Sequence, residues 1–127
     1  MHELSIAEEI YRASRAAVAE HGSGRLERVT VAVGELAAIE PELLVFAWEA
    51  LTQGGPDEGS ALEVEWCRAR QFCAACDAEK PRSDGSWLCL CPDCGRPLAV
   101  TGGTELDLLR VTFEPDEQKG SERSNDG

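Results

Sequence analysis

The ten residues that decide the fold are Arg25-Leu26-Glu27-Arg28-Val29-Thr30-Val31-Ala32-Val33-Gly34. The three valines of this stretch alternate with Arg28, Thr30 and Ala32, and a period of two residues is typical of a half-buried β-strand. A strand with one apolar face has to bury that face against another element. The rest of the chain must therefore supply helices that can cover it and strands that can pair with it.

Amphipathic helix patterns lie on both sides of this strand. The first begins at Ser5, which forms a capping box with Glu8 three residues later, and it ends at the glycine-containing residues 21–24. The second opens at Pro41, a favourable first helical residue, and ends before residues 53–56. Its predicted apolar face comprises Leu43, Leu44, Phe46, Ala47, Ala50 and Leu51, with Trp48 on the flank. Both helices therefore have an apolar side that can cover a sheet.

Two later strand patterns complete the sheet. One runs from Ala61 to about Ala69, and the other runs from Glu105 to Phe113, where a slip in the alternation predicts a bulge. The order of elements predicts an α+β domain, with two helices packed on a three-stranded sheet and a zinc-ribbon-like lobe with four cysteines inserted before the last strand. We expect the core to comprise residues 1–69 and 103–114, the lobe residues 70–102, and a disordered acidic tail residues 115–127.

Length and charge restrict the class of protein. The 127 residues suit one domain, or a small core with a metal-stapled lobe. Twenty-four acidic against twelve basic residues give a net charge of -12, which repels nucleic-acid phosphates and is compatible with cationic partners, including metal ions. The sequence shows no membrane-spanning stretch and no signal peptide, so we expect a cytoplasmic protein whose cysteines are reduced thiols or metal ligands.

Four cysteines form two matched pairs in the inserted lobe: Cys73-Ala74-Ala75-Cys76 and Cys91-Pro92-Asp93-Cys94. Two such turns together predict a tetrahedral zinc site of four thiolates, which is structural because four protein ligands leave no open position. A redox pair or free buried thiols are the alternatives, and the matched spacing disfavours them. Cys67 and Cys89 are interpreted as spare thiols, although Cys89 is close enough to Cys91 to replace a ligand.

The N-terminal tripeptide Met1-His2-Glu3 is the second candidate metal site. The α-amine of Met1, the backbone nitrogen of His2 and its imidazole can chelate one ion, and nitrogen-rich sites of this kind suit Ni(II) and Cu(II). Glu3 adds a nearby carboxylate. The alternative is an ordinary frayed terminus, since first residues are usually poorly ordered. His21 is interpreted as a structural residue of the last helical turn.

Several motifs together resemble the HypA/HybF family of nickel metallochaperones. These motifs are Met1-His2-Glu3-Leu4-Ser5, Val31-Ala32-Val33-Gly34-Glu35-Leu36, Glu40-Pro41-Glu42-Leu43-Leu44-Val45-Phe46, the two CxxC pairs, and Gly102-Gly103-Thr104-Glu105-Leu106. The resemblance covers residues 1 to about 113, so that only the acidic tail lies outside it.

The resemblance implies a set of metals and partners. His2 would bind nickel as transient cargo, with Glu3 and Glu40 as acids near the nickel site, and Cys73, Cys76, Cys91 and Cys94 would bind structural zinc. The implied partners are a HypB-like GTPase and a hydrogenase large-subunit precursor, and in some members urease accessory proteins. We expect a monomer or weak homodimer. A modulatory histidine beside the second cysteine pair, found in some members, is missing from this sequence.

Two other classes of function are weighed against this one. The first is a zinc ribbon that serves as a nucleic-acid-binding or protein-interaction module. The lobe has some local positive charge, but the overall excess of acidic residues argues against nucleic acid. The second is an enzyme, for which we find no glycine-rich phosphate loop, no nucleophile–base pair and only two histidines. We therefore expect a protein without catalytic activity.

Overall fold

The computed structural model describes residues 2–82 and 86–116 of the chain. The elements in chain order are α1 (His2–Glu20), β1 (Gly24–Gly34), α2 (Pro41–Thr52), β2 (Ala61–Cys67), β3 (Arg70–Cys73), β4 (Ala78–Lys80), β5 (Ala99–Thr101) and β6 (Leu106–Pro115). They form two helices and two three-stranded sheets, with strand orders β2-β1-β6 and β4-β3-β5. The predicted α+β class is therefore confirmed.

Strand β1 lies at the centre of the larger sheet. It pairs in parallel with β2 and antiparallel with β6, so that Val31 lies between Val64 and Leu108. We predicted a half-buried strand, whereas β1 is buried on both faces from Val29 to Gly34. The central position explains the difference, because small side chains between longer neighbours on both flanking strands are shielded without a second layer of helices.

The predicted bulge in the last strand is confirmed. Thr30 pairs with Arg110 but Val31 pairs with Leu108, so that Leu109 is skipped in the ladder between β1 and β6. An extra residue of this kind bends the strand and turns its side chains out of the regular alternation. The sequence shows the slip because Leu108 and Leu109 are adjacent apolar residues in an otherwise alternating pattern.

Both helices pack on one face of the larger sheet and around Trp48, which is fully buried. The core comprises Ala7, Ile10, Val18, Leu26, Val29, Val31, Val33, Ile39, Leu44, Ala47, Trp48 and Leu62. Helix α1 begins at His2, and the predicted start at Ser5 is wrong by one turn. The extra turn is held in place because the buried Glu3 carboxylate accepts the backbone N–H of Glu40 at 3.2 Å.

The buried face of α2 differs from the predicted one. Leu43 and Phe46 are 53% and 68% exposed, whereas Trp48 is buried and its indole N–H donates to Ser60 Oγ at 3.1 Å. The helix is rotated so that Trp48 faces the core together with Leu44. The sequence does not distinguish the two orientations, because apolar residues surround most of α2 and the polar partner of the indole comes from a loop.

The inserted lobe, residues 70–102, contains the smaller sheet of β3, β4 and β5. Two residues of the expected tail belong to the fold, because β6 includes Pro115 and the N–H of Asp116 donates to Ser23 O at 3.1 Å. The remainder of the expected tail, residues 117–127, lies outside the described residues. Neither helix in the described parts of the chain has the length and apolar character needed to cross a bilayer.

Candidate metal centres

The structure brings the four predicted zinc ligands into one cluster. The sulfurs of Cys73, Cys76, Cys91 and Cys94 all lie within 4.8 Å of one another. Cys73 Sγ is 3.5 Å from Cys94 Sγ, and Cys76 Sγ is 4.0 Å from Cys91 Sγ. A tetrahedral zinc with bonds of about 2.3 Å requires sulfur–sulfur separations of about 3.8 Å. The donor set and its spacing therefore fit one tetrahedral zinc ion.

Each cysteine pair is shaped by a tight turn. The first pair joins β3 to β4, and the backbone N–H of Cys76 donates to Cys73 Sγ at 3.3 Å. In the second pair, the N–H of Asp93 donates to Cys91 Sγ at 3.4 Å, and Gly95 adopts φ +79°. Hydrogen bonds to sulfur orient the ligands and stabilise negative charge on them.

Without a cation the four sulfurs cannot all be thiolates. A hydrogen bond with Cys73 is the largest cause that raises the pKa of Cys76 to about 12. Burial opposes the thiolate at Cys91, but the N–H groups of Asp93 and Cys94 outweigh it and lower the pKa of Cys91 to about 7. A divalent ion supplies the positive charge that a cluster of thiolates requires.

The two remaining cysteines lie outside this cluster. Cys67 ends β2, and burial raises the pKa of its thiol, with Glu105 as the next cause. Cys89 is exposed and does not belong to the group of four sulfurs, although it is only two residues from Cys91. This arrangement supports the interpretation of both as spare thiols.

The N-terminal donors lie at the edge of the core beside the loop between β1 and α2. The Nε2 atom of His2 lies 3.0 Å from the carbonyl oxygen of Ala38 and 3.7 Å from Glu3 Oε2. A carbonyl can only accept, so the hydrogen bond to Ala38 places the ring proton on Nε2. In a neutral ring with this tautomer, the lone pair lies on Nδ1, which is then the ring atom that can bind a metal.

The two candidate acids are placed differently. The N–H of Glu40 is the largest cause that lowers the pKa of Glu3, so the Glu3 carboxylate stays ionised. The backbone N–H of Glu40 donates to the Glu3 carboxylate, whereas the side chain of Glu40 is exposed. In residues 2–82 and 86–116, the four cysteines are the only group of three or more metal donors within reach of one ion. Met1, whose α-amine is part of the predicted chelate, lies outside the described residues.

Two features of this region were missed by sequence reasoning. Ala38 adopts φ +61°, an unusual conformation for a residue with a side chain, and its carbonyl meets the imidazole of His2. Glu35 forms an ion pair with Arg82 of the inserted lobe, with Nη1 2.7 Å from Oε1. Alanine carries no signal for a positive φ, and charged residues 47 positions apart give no sign that they meet.

The fold and the cysteine cluster define a metal-binding α+β protein with a four-cysteine lobe. The family model described as hydrogenase/urease nickel incorporation, metallochaperone, HypA matches residues 1–113. A hydrogenase maturation factor HypA from Acidithiobacillus ferrooxidans is 38% identical over 115 residues, covering 90% of this chain and all of that protein. The chain therefore belongs to the HypA family of nickel metallochaperones, and the resemblance noted in the sequence is confirmed.

Solved structures show the same fold. The solution structure of the nickel metallochaperone HypA from Helicobacter pylori has a TM-score of 0.61 at 20% identity, covering 90% of this chain and 98% of that one. A second solution structure of a HypA protein has a TM-score of 0.65 at 21% identity, covering 91% of this chain and 98% of that one. At this level of identity the likeness concerns the fold alone.

Proposed function

We propose that this protein binds Ni(II) at its N-terminus and delivers it during maturation of [NiFe]-hydrogenase, while a structural zinc ion holds the inserted lobe. Nickel is cargo and zinc is a resident ion in this proposal. Membership of a family of nickel incorporation proteins supports the general activity. The geometry around His2 and the four cysteines supports the assignment of the two metals to two separate places.

The main structural support for the proposed nickel site is the hydrogen bond between His2 and Ala38. The Ala38 carbonyl accepts a hydrogen bond from Nε2–H and leaves Nδ1 as the metal-binding atom. Nδ1 is the ring nitrogen nearest to the backbone nitrogen of the same residue, so the two can close a small chelate ring. The α-amine of Met1 would provide the third nitrogen, as expected from the tripeptide.

The position of His2 at the start of α1 suits reversible binding. The first N–H groups of a helix have no acceptor within the helix, so the amide of His2 can lose its proton to solvent and bind the metal through nitrogen without loss of a helical hydrogen bond. The partial positive charge of a helix N-terminus disfavours a cation by ~0.3–1 kcal/mol. Glu3 provides negative charge beside it. These opposing effects favour capture without permanent retention.

The two acids have different roles in the proposal. Glu3 balances the charge of the ion, because its Oε2 atom lies 3.7 Å from Nε2 of the His2 ring. Glu40 fixes the Glu3 carboxylate through its backbone N–H, and its exposed side chain is placed near the site rather than in it. Glu3 is therefore the stronger candidate for a nickel ligand, and Glu40 is a second candidate that must turn inward.

The zinc ion would stabilise the lobe rather than react. Binding of structural zinc contributes roughly 10–16 kcal/mol of apparent free energy in zinc-finger peptides. Lys80 Nζ donates to Asp93 Oδ2 at 2.7 Å, which ties β4 to the second cysteine turn beside the cluster. The lobe, with its short strands, then folds around the metal.

The proposed partners follow from family membership. We infer that the partners are a HypB-like GTPase and a hydrogenase large-subunit precursor, with urease accessory proteins as additional partners where urease is present. We also infer a cytoplasmic location and no catalytic activity. Nucleic acid is disfavoured, because two of the basic residues of the lobe are held in ion pairs, Arg82 with Glu35 and Lys80 with Asp93. The proposed oligomeric state is a monomer or weak homodimer.

Metal analysis of untagged protein tests the proposal. Wild type, His2→Ala and His21→Ala would each be loaded with Ni(II) and Zn(II), desalted and analysed. His21 is the matched control, because it is the only other histidine and its ring stacks on Phe113 at 6.2 Å, away from His2. We expect zinc in all three proteins and nickel in wild type and His21→Ala only. Nickel retained by His2→Ala would contradict the proposed site.

A further inference from the structure

The outer edge of β6 is a free strand edge. β6 is the last strand in the order β2-β1-β6, and no strand of the described parts of the chain pairs with its other side. Long edge strands are usually protected by charged side chains, because their unpaired backbone groups attract other strands. β6 carries three charged residues and the bulge at Leu109, but it also exposes three leucines, with Leu106, Leu108 and Leu109 at 42%, 38% and 44% exposure.

A groove runs between this edge and α1. It consists of two cavities of about 270 and 310 Å³ that share Leu108 as a lining residue. The first is lined mainly by apolar side chains, including Ile6, Ile10 and Leu106. The second continues along the strand to Phe113. A free strand edge and an apolar groove therefore lie side by side along most of β6.

We propose that this edge and groove bind an extended segment of a partner protein as a fourth strand of the sheet. The backbone of the segment would pair with β6, which gives affinity independent of sequence. Alternate side chains of the segment would enter the groove against α1 and have to be apolar, since successive residues of a strand point to opposite faces.

The charge of the residues beside the groove indicates whether a partner protein or a second copy of this chain binds there. Glu9 lines the groove and Asp107 lies on β6, and neither forms an ion pair within the described residues. Arg110 on the same strand is already 3.7 Å from Glu65. A second copy would bring the same uncompensated acids and a net charge of -12. The segment is therefore expected to carry Lys or Arg between its apolar residues, on the face of the sheet where Asp107 lies, because Asp107 alternates with the groove-lining Leu106 and Leu108.

The exposed apolar patch on α2 provides a comparison. Leu43 and Phe46 are more exposed than the leucines of β6, but they lie on a helix, whose backbone groups are paired internally. An added strand therefore has no free backbone groups on α2 with which to pair. The two patches thus differ in the one property that strand addition requires, and the α2 patch serves as a matched control.

Binding of a probe peptide tests the proposal. The probe is a fluorescein-labelled peptide of alternating valine and lysine, compared with one of alternating valine and glutamate, at physiological salt. Fluorescence anisotropy would be measured with wild type, with the double variant Leu106→Ser/Leu108→Ser, and with the control Leu43→Ser/Phe46→Ser. None of these substitutions changes the charge, so a general attraction to an acidic protein is held constant.

We expect the lysine probe to bind wild type and the α2 control equally, and the β6 variant at least about tenfold more weakly, since two buried leucine contacts are lost. The glutamate probe should bind weakly to all three. Amide hydrogen exchange of wild type should show added protection confined to β6. This measurement needs no substitution, so it remains informative if the double variant folds poorly.

Three results would overturn the proposal. The first is equal affinity of wild type and the β6 variant for the lysine probe, and the second is protection outside β6. The third is sedimentation of wild type as a dimer that the β6 variant abolishes, which would assign the groove to a second copy. Nickel and zinc contents of the β6 variant should match those of wild type, so failure here is distinguishable from failure of the proposed metal sites.

Discussion

Glu35 and Arg82 form two parallel hydrogen bonds, of 2.7 and 2.9 Å, that join the core to the inserted lobe. Glu35 follows β1, whereas Arg82 follows β4. The Arg82 side chain is only 3% exposed; its guanidinium lies 3.7 Å from the centre of the Trp87 ring and donates to Ala69 O at 2.8 Å. This one side chain therefore connects the lobe to the loop that leads to Ala38.

The substitution Arg82→Lys should loosen the lobe without unfolding it. A lysine keeps the charge but cannot form the two parallel hydrogen bonds or stack flat on Trp87. We expect the lobe and the core to tumble with different correlation times in ¹⁵N relaxation measurements of the variant and with one correlation time in wild type. Arg96→Lys, at an exposed position in the same lobe, is the control and should behave as wild type. Identical relaxation in all three proteins would contradict a fixing role for Arg82.

The contribution of Glu35 to stability should depend on pH in a defined window. Hydrogen bonds from Arg82 are the largest cause that lowers the pKa of Glu35 to about 2. A carboxylate with a lowered pKa contributes stability that is fully present above its ordinary value of 4.5 and is lost as the pH falls through about 2. The difference in unfolding free energy between wild type and Glu35→Gln should thus be constant from pH 8 to about 5 and shrink only below that.

The exposed Glu27 provides the control for this titration. Glu27→Gln should show no comparable difference from wild type at any pH, measured by urea denaturation in parallel samples. Taking the difference between two proteins cancels effects common to both, such as release of metal from the cysteines at low pH. A difference for Glu35→Gln that already fades between pH 7 and 6 would show that another group is responsible.

The sequence predicted the two helices, the three strands of the larger sheet and the cysteine cluster, but it predicted neither the short strands β3, β4 and β5 of the lobe nor the features that depend on tertiary contacts. The spacing of the cysteine pairs and the slip at Leu109 are local signals, and both are present in the structure. The start of α1 was misplaced because the partner that fixes its first turn, Glu40, lies far along the chain. The orientation of α2 was wrong because the indole of Trp48 bonds to Ser60 in a loop.

Asp57 is the clearest example of a residue whose structural role the sequence does not indicate. Its side chain is 1% exposed and accepts hydrogen bonds from Tyr11 Oη at 2.6 Å, Leu26 N at 2.9 Å and Arg15 Nη1 at 3.3 Å. Asp57→Ala should lower the free energy of unfolding by about 2–4 kcal/mol, because the N–H of Leu26 and the hydroxyl of Tyr11 lose their acceptor. Urea denaturation would measure it, with Glu58→Ala, at an exposed site, expected within about 0.5 kcal/mol of wild type.

Removal of zinc should unfold the lobe and leave the core intact. With a strong chelator, or in Cys73→Ser, we expect amide protection to disappear from β3 to β5 and to remain in α1 and β1, because the larger sheet has its own apolar core. Cys89→Ser is the control and should keep both zinc and protection, since Cys89 lies outside the cluster. Loss of zinc from Cys89→Ser would show instead that Cys89 is a ligand.

An extension of the N-terminus should separate the two metal sites. Adding Gly-Ser before Met1 converts the proposed α-amine ligand into an amide, so nickel affinity measured by calorimetry should fall by at least about tenfold, or about 1.4 kcal/mol. Zinc content should not change, and the same two residues added after Gly127 should have no effect on either metal. If the amine and His2 hold the same ion, the extension and His2→Ala combined should weaken binding by less than the sum of their separate effects. Additive losses would place the two groups at independent sites and would contradict the terminal chelate.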